Sequence, residues 1–222
     1  MARVLKIIRI IWITAGLCFM AWLLYSMQSR GFPTTILASD NQISVTNSAD
    51  LISFVPVANA QTTGLIFYPG ALVDPRAYAP LARQLAEQQV AVYIIKLPFR
   101  SAAFGQQEAT VFDRTRQLMA ATPTITHWVI GGHSRGGGMA GRFARLYAEQ
   151  LQGLVLIGTS LPKEPTFDLA ALTMPVLKIY ATNDGLASVA EVKANAQYLP
   201  PDAPGLRLQV AIMLSLATMA LN

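Results

Sequence analysis

Three short segments carry side chains whose chemistry depends on being brought together. In Gly132-His133-Ser134-Arg135-Gly136 a serine sits between two glycines in the pattern G-x-S-x-G, directly after the apolar run Trp128, Val129, Ile130. A serine in a tight strand-to-helix turn is held in strained backbone angles, and the flanking glycines let neighbouring chain approach without a Cβ clash. Its hydroxyl then stands at the carboxyl edge of a sheet as a candidate nucleophile for acyl transfer. The NH of Arg135, at the positive end of the following helix, is placed to stabilise an oxyanion. No G-K-[ST] closes the turn, which argues against a phosphate-binding loop.

The second segment, Phe67-Tyr68-Pro69-Gly70-Ala71, ends an apolar run. A turn there can aim the NH of Ala71 at the same oxyanion, although the segment alone reads equally well as a plain Pro-Gly turn. The third, Tyr180-Ala181-Thr182-Asn183-Asp184-Gly185, puts a carboxylate at a strand end after the serine in sequence. A histidine-orienting acid belongs there in the order Ser, Asp, His, and an Asx turn leading to Gly185 is the alternative. The sequence holds two histidines, His127 and His133, both within seven residues of Ser134. His133 adjoins the serine and should point away from it. His127 precedes its strand and should lie at the opposite sheet edge, so both read as structural.

The elements that must position these groups follow from the pattern. From residue 64 onwards, short apolar runs without alternation are separated by helical stretches, as a parallel sheet covered on both faces requires. Strands are expected at 64–68, 90–96, 128–131, 153–157 and 176–180, with a last one near Leu206. Helices are expected at 76–88, 108–120 and 135–150, with a short one near 168–172. Pro75 is placed as a helix-starting proline with Asp74 as its cap. Before this unit, 43–45 and 51–57 flank Asn47, Ser48, Ala49 and Asp50 and read as a β-hairpin.

Composition supports one globular domain, residues 31–222, with an appendage at 1–30. The chain has 222 residues, 53% of them apolar and 13% charged, which excludes a disordered chain. Residues 10–27 carry no charge and as a helix would span roughly 27 Å, close to the ~30 Å hydrocarbon core of a bilayer. Trp12, Trp22 and Tyr25 lie towards its ends, and Arg3, Lys6 and Arg9 outweigh Arg30 across it. An uncleaved anchor with the N-terminus cytoplasmic and the domain outside is expected, with a cleaved signal peptide as the rival. Residues 31–40, polar and proline-containing, read as a connector standing the domain off the membrane. Beyond residue 30, 13 Lys and Arg face 12 Asp and Glu, so the overall charge of +5 gives no support to a nucleic-acid patch. Cys18, the only cysteine, lies in the apolar segment; no cysteine-ligated metal site, disulfide framework or cofactor is expected.

The three segments together resemble the α/β-hydrolase superfamily, in particular compact, lidless members similar to dienelactone hydrolase. The resemblance covers roughly residues 64–201, and Asp74-Pro75-Arg76-Ala77-Tyr78 resembles the stretch after the oxyanion turn in membrane-anchored bacterial members. It implies an α/β-hydrolase fold and an esterase-type serine hydrolase. Ser134 would be the nucleophile, Asp184 the acid and the NH groups of Ala71 and Arg135 the oxyanion hole. Family members often carry leucine where Arg135 stands. Between Ser160 and Met174 there is room for one short helix and no lid domain, which suits an open site and a small or surface-presented ester.

The resemblance also demands a histidine loop after the last strand, where the sequence has none. One permitted back-translation from Ala203 to Asn222, with a single base inserted just after the Ala203 codon, reads instead as a strand followed by G-G-N-H. The restored histidine codon overlaps those of Ile212 and Met213. A frameshift that removed the base is therefore expected, with activity impaired in the chain as written. The alternative is a non-catalytic, membrane-anchored binding or scaffold protein on the same fold.

Overall fold

Apolar runs too short for helices and bounded by turn residues become the strands of one eight-stranded sheet. The computed structural model describes residues 2–58, 61–102 and 105–208. Its elements are α1 (Ala2–Ser26), β1 (Ile43–Asn47), β2 (Leu51–Pro56), β3 (Thr63–Tyr68), α2 (Ala79–Glu87), β4 (Ala91–Ile95) and α3 (Gly105–Ala121). There follow β5 (His127–His133), α4 (Arg135–Leu146), β6 (Gly153–Ile157), β7 (Val176–Ala181), α5 (Val189–Ala194) and β8 (Gly205–Leu208). The sheet order is β1-β2-β4-β3-β5-β6-β7-β8. β3 to β8 run parallel, while β2 pairs antiparallel with both β1 and β4.

Alternation along the strands divides the core between the two faces. Phe67, Val92 and Ile94 pack with Ile52, Phe54 and the Ala79, Ala82, Ala86 stripe of α2. Ile66, Tyr68, Tyr93 and Ile130 point the other way, against Val111 and Phe112 of α3 and Met139, Ala140 and Phe143 of α4. Each large apolar side chain so buried contributes roughly 1.5–3 kcal/mol of transfer free energy. The layered α/β architecture expected from the sequence is the one observed.

Several expected boundaries are corrected. No helix forms near 168–172: the Asp168 carboxylate accepts the Ala170 NH in an Asx turn, and a 3₁₀ turn lies earlier, at Pro165–Phe167. The helix expected at 135–150 ends at Leu146 and is followed by a 3₁₀ turn, Ala148–Gln150. The one expected at 76–88 begins as a 3₁₀ turn, Pro75–Tyr78, with Asp74 accepting the Arg76 NH as its cap. α5 was not anticipated.

The connector also differs from expectation. Residues 31–40 do not hold the domain away from α1, because Ile36 and Leu37 pack onto the α2 side of the core. Arg83 of α2 donates to the Ile36 carbonyl at 3.1 Å and pairs with Asp40 at 2.7 Å. α1 itself carries an apolar stretch, Arg3–Ser26, with mean hydropathy 2.1 and no buried residues, long enough to cross a membrane. The tail expected to be altered from about residue 204 begins within the described residues, where β8 (Gly205–Leu208) forms the last strand expected near Leu206; the rest of it and the expected histidine loop fall on residues 209–222, outside those described.

Candidate active site

β5 runs between β3 and β6, with Tyr68 opposite Gly132 and His133 opposite Ile157. Its carboxyl end therefore lies between two other strand ends. Ser134 follows at φ 52°, ψ −119°, a backbone conformation costing of order 1–3 kcal/mol that persists only where surroundings enforce it. Here its NH donates to the Ile157 carbonyl at 2.8 Å. The turn is closed too tightly for side chains: a Cβ on Gly132 would lie 2.3 Å from the Gly136 carbonyl, and one on Gly136 would lie 2.0 Å from the Tyr68 oxygen. The Ser134 hydroxyl makes no hydrogen bond among the described residues.

The contact of Gly136 with Tyr68 and Pro69 brings the first turn of α4 against the turn after β3. Neither the Ala71 NH nor the Arg135 NH has a hydrogen-bond partner among the described residues. The Arg135 side chain donates to the Ser101 carbonyl at 2.7 Å and to that of Ala102. It fixes the loop after β4.

Asp184 follows β7 and is buried. Its Oδ1 accepts the NH groups of Leu186 and Ala187 at 2.9 and 3.0 Å, so the Asx turn is real. Its Oδ2 carries no hydrogen bond among the described residues and faces the turn after β6, 3.7 Å from where a Cβ on Gly158 would lie. Ser134, Arg135, Gly158, Thr159, Leu161 and the Leu186–Ala187 turn line a single cleft of about 300 Å³. The serine, its helix and the acid's turn thus share one concavity at the carboxyl edge.

Neither histidine lies in that cleft. His127 is exposed at the far end of β5, its Nδ1 against Thr126 at 3.0 Å. His133 is buried beneath the turn after β3. Its Nδ1 meets the Tyr78 hydroxyl at 2.9 Å, and that hydroxyl accepts the Gly70 NH at 2.9 Å. Its Nε2 is buried without a partner among the described residues. Burial lowers the His133 pKa to about 4, the nearby Asp184 charge partly opposing, so the ring is neutral near pH 7.

Acidification should therefore destabilise the fold in a defined window. The unfolded histidine takes up its proton near pH 6.5 and the folded one only near 4, so stability present above 6.5 is lost as pH falls between those values. The loss is up to about 3 kcal/mol. Urea unfolding of the full chain in detergent should show it between pH 7 and 5, and His133→Asn should flatten it. Asp74 acts lower. Burial alone would raise its pKa, but hydrogen bonds from the Arg76 side chain, the Arg76 NH and the Ser29 NH hold it down at about 2.

Two positioning residues escape the sequence reading. Tyr78 links the turn after β3 to His133, a partnership visible only once β3 and β5 are neighbours. Lys178, buried in β7, donates to the Leu161 carbonyl at 2.6 Å and holds one wall of the cleft; burial lowers its pKa to about 8. The one signal for it is a lysine inside an otherwise apolar strand.

A profile described as the alpha/beta hydrolase family matches residues 64–209. Among functionally curated proteins none matches the sequence significantly. Solved structures share the fold. A predicted CIB-like hydrolase from Thermoplasma acidophilum superposes with a TM-score of 0.66 at 12% identity, over 80% of this chain and 93% of that one. The esterase domain of a Rhodothermus marinus protein gives 0.63 at 14%, over 81% and 92%. A bacterial membrane phospholipase A gives 0.64 at 14%, over 99% and 94%.

Proposed function

Because the chain belongs to the α/β-hydrolase family, we propose that it is by design a membrane-anchored serine esterase. Ser134 is its nucleophile, and its base has been lost to a frameshift. The observation that carries this reading is the backbone of Ser134, strained at a strand-to-helix junction with its hydroxyl free in a cleft that the Asp184 turn also lines.

In the intact reaction, Ser134 Oγ attacks the ester carbonyl carbon while an imidazole takes the hydroxyl proton. The NH groups of Ala71 and Arg135 hold the oxyanion. The carbon–oxygen bond to the leaving alcohol then breaks, with the proton passing to that oxygen. Water, deprotonated by the same imidazole, attacks the acyl-enzyme and releases the acid and free Ser134. Asp184 Oδ2, without a partner among the described residues, is suited to orient the imidazole. The G-G-N-H reading of the tail would supply that imidazole, and α1 would tether the enzyme with its domain outside the cytoplasm.

A second reading is favoured by one observation: the sequence has only His127 and His133, and neither lies in the cleft. A binding or scaffold protein needs no base. A fluorophosphonate probe applied to the tail-restored chain separates the two. Covalent labelling at Ser134, absent in Ser134→Ala, supports the hydrolase; an unlabelled, folded protein supports the binding module.

A further inference from the structure

The residues just after α1 are joined by a set of hydrogen bonds to the loops after β3 and β4, which form a rim at the same carboxyl edge of the sheet as the cleft. The Met27 carbonyl accepts from Arg100 Nη1 at 3.0 Å, and Gln28 Oε1 accepts from Arg100 at 2.9 Å and from Arg76 at 3.3 Å. The Ser29 NH donates to Asp74 at 3.3 Å. Asp74 is buried and pairs with Arg76 at 2.6 Å and Arg100 at 3.7 Å. The Arg100 carbonyl in turn accepts the Leu72 NH, at 2.6 Å. The loops after β3 and β4 and the residues just after α1 thus form one unit, to which Arg135, the residue beside the nucleophile, is tied through the Ser101 and Ala102 carbonyls.

This arrangement leaves no spacer. α1 ends at Ser26 and Gln28 is already bound to the rim, and two residues span at most roughly 7 Å. Wherever α1 leaves the hydrocarbon, the carboxyl edge of the sheet lies within about a side chain's length of it.

The same edge exposes apolar side chains. Phe99 is 86% exposed, Leu72 50% and Leu186 72%, on the loops after β4, β3 and β7. Phe99 and Leu72 also stand at positive φ, 50° and 61°, in turns held by the Leu72 NH to Arg100 carbonyl and Arg100 NH to Leu97 carbonyl hydrogen bonds. Both would be stabilised by transfer to an apolar environment, Phe99 more than the half-covered Leu72. Arg76, Lys96 and Arg100 line a hollow of about 440 Å³ beside Phe99, with Asp74 the one carboxylate in it. Basic side chains next to an aromatic ring suit the headgroup layer of an anionic membrane.

We propose that this rim rests in the headgroup layer of the membrane that α1 crosses, and that the ester the cleft receives is the acyl ester of a bilayer lipid. The proposal deepens the hydrolase reading and rests on it for the word ester. Its test does not depend on Ser134 being reactive.

The full chain, in a Cys18→Ser background, would carry a nitroxide on Phe99→Cys, Leu72→Cys or, as a control at the opposite sheet edge, Thr124→Cys. It would be reconstituted in vesicles of phosphatidylcholine and phosphatidylglycerol. Power saturation should show the labels at 99 and 72 several-fold more accessible to oxygen relative to a nickel chelate than the label at 124. Equal accessibility at 99 and 124 would overturn the docking. A phosphatidylcholine carrying a diazirine on its acyl chain should, in the same vesicles, crosslink to Leu161, Leu186 or the loop after β4. Crosslinks confined to α1 would overturn the lipid substrate. Immersed labels together with a Ser134 that no fluorophosphonate modifies in the tail-restored chain would retain the membrane-facing rim and reject the esterase.

Discussion

Inserting one base after the Ala203 codon should convert a chain at background activity into one that hydrolyses nitrophenyl acetate about 10² to 10⁴ times faster. A serine hydroxyl at neutral pH is a poor nucleophile until a positioned imidazole takes its proton, and everything else the reaction needs is proposed to be in place already. The oxyanion donors and the strained Ser134 backbone alone leave only a residual rate. In the restored protein Ser134→Ala should return hydrolysis to background. Asp184→Asn should lower it by up to about 10⁴, because an amide presents a donor where the imidazole needs an acceptor. Steady-state rates on the purified chain, with and without the base, check all three. A restored, folded protein that hydrolyses no ester across a panel would leave the binding module as the better account.

Gly136→Ala should be among the most damaging single substitutions in the domain. Its new Cβ would sit 2.0 Å from the Tyr68 oxygen and 2.4 Å from that of Pro69, and both are backbone atoms that cannot rotate aside. α4 would have to move off β3, breaking the Ser134 turn and the packing of Phe143 together. A loss of about 4 kcal/mol or more, or failure to fold, is expected. Gly185→Ala is the matched control: nothing lies within 4 Å of its Cβ position, and a change within about 0.5 kcal/mol is expected. Urea unfolding in detergent measures both. If Gly136→Ala melts like the parent, the close packing of α4 on β3 is wrong.

The parallel strands were legible because strands buried on both faces must be continuous apolar runs. Ile66, Val92, Ile130, Leu154 and Val176 each lie in such a run and each became a core position. The serine turn was legible for a related reason: the glycines that mark it are those whose Cβ atoms would strike backbone. Short elements were harder. Ser188 caps α5 by accepting the Glu191 NH, a capping signal present in the sequence, but six residues are too few to show a helical period. At residues 168–172 a helical composition lost to the Asp168 turn and to the packing of Phe167 and Leu169 against the bare backbone of Gly141.

Side-chain hydrogen bonds between distant segments were not legible. Tyr78 and His133 are 55 residues apart and meet only through the sheet order. The contact of Gln28 with Arg76 and Arg100 spans 48 and 72 residues. Polar, proline-containing residues 31–40 suggested a spacer, because composition shows solvation and does not show where Ile36 and Leu37 go.

The most direct test of the central claim, that Ser134 is an acyl-transfer nucleophile awaiting its base, is mass spectrometry of the acid-quenched, tail-restored chain after brief exposure to nitrophenyl acetate. The account predicts one added acetyl group on the peptide containing Ser134. It should be lost on longer incubation and absent in Ser134→Ala and in the chain as it stands. Hydrolysis without that adduct, or an adduct on another residue that persists in Ser134→Ala, would contradict it.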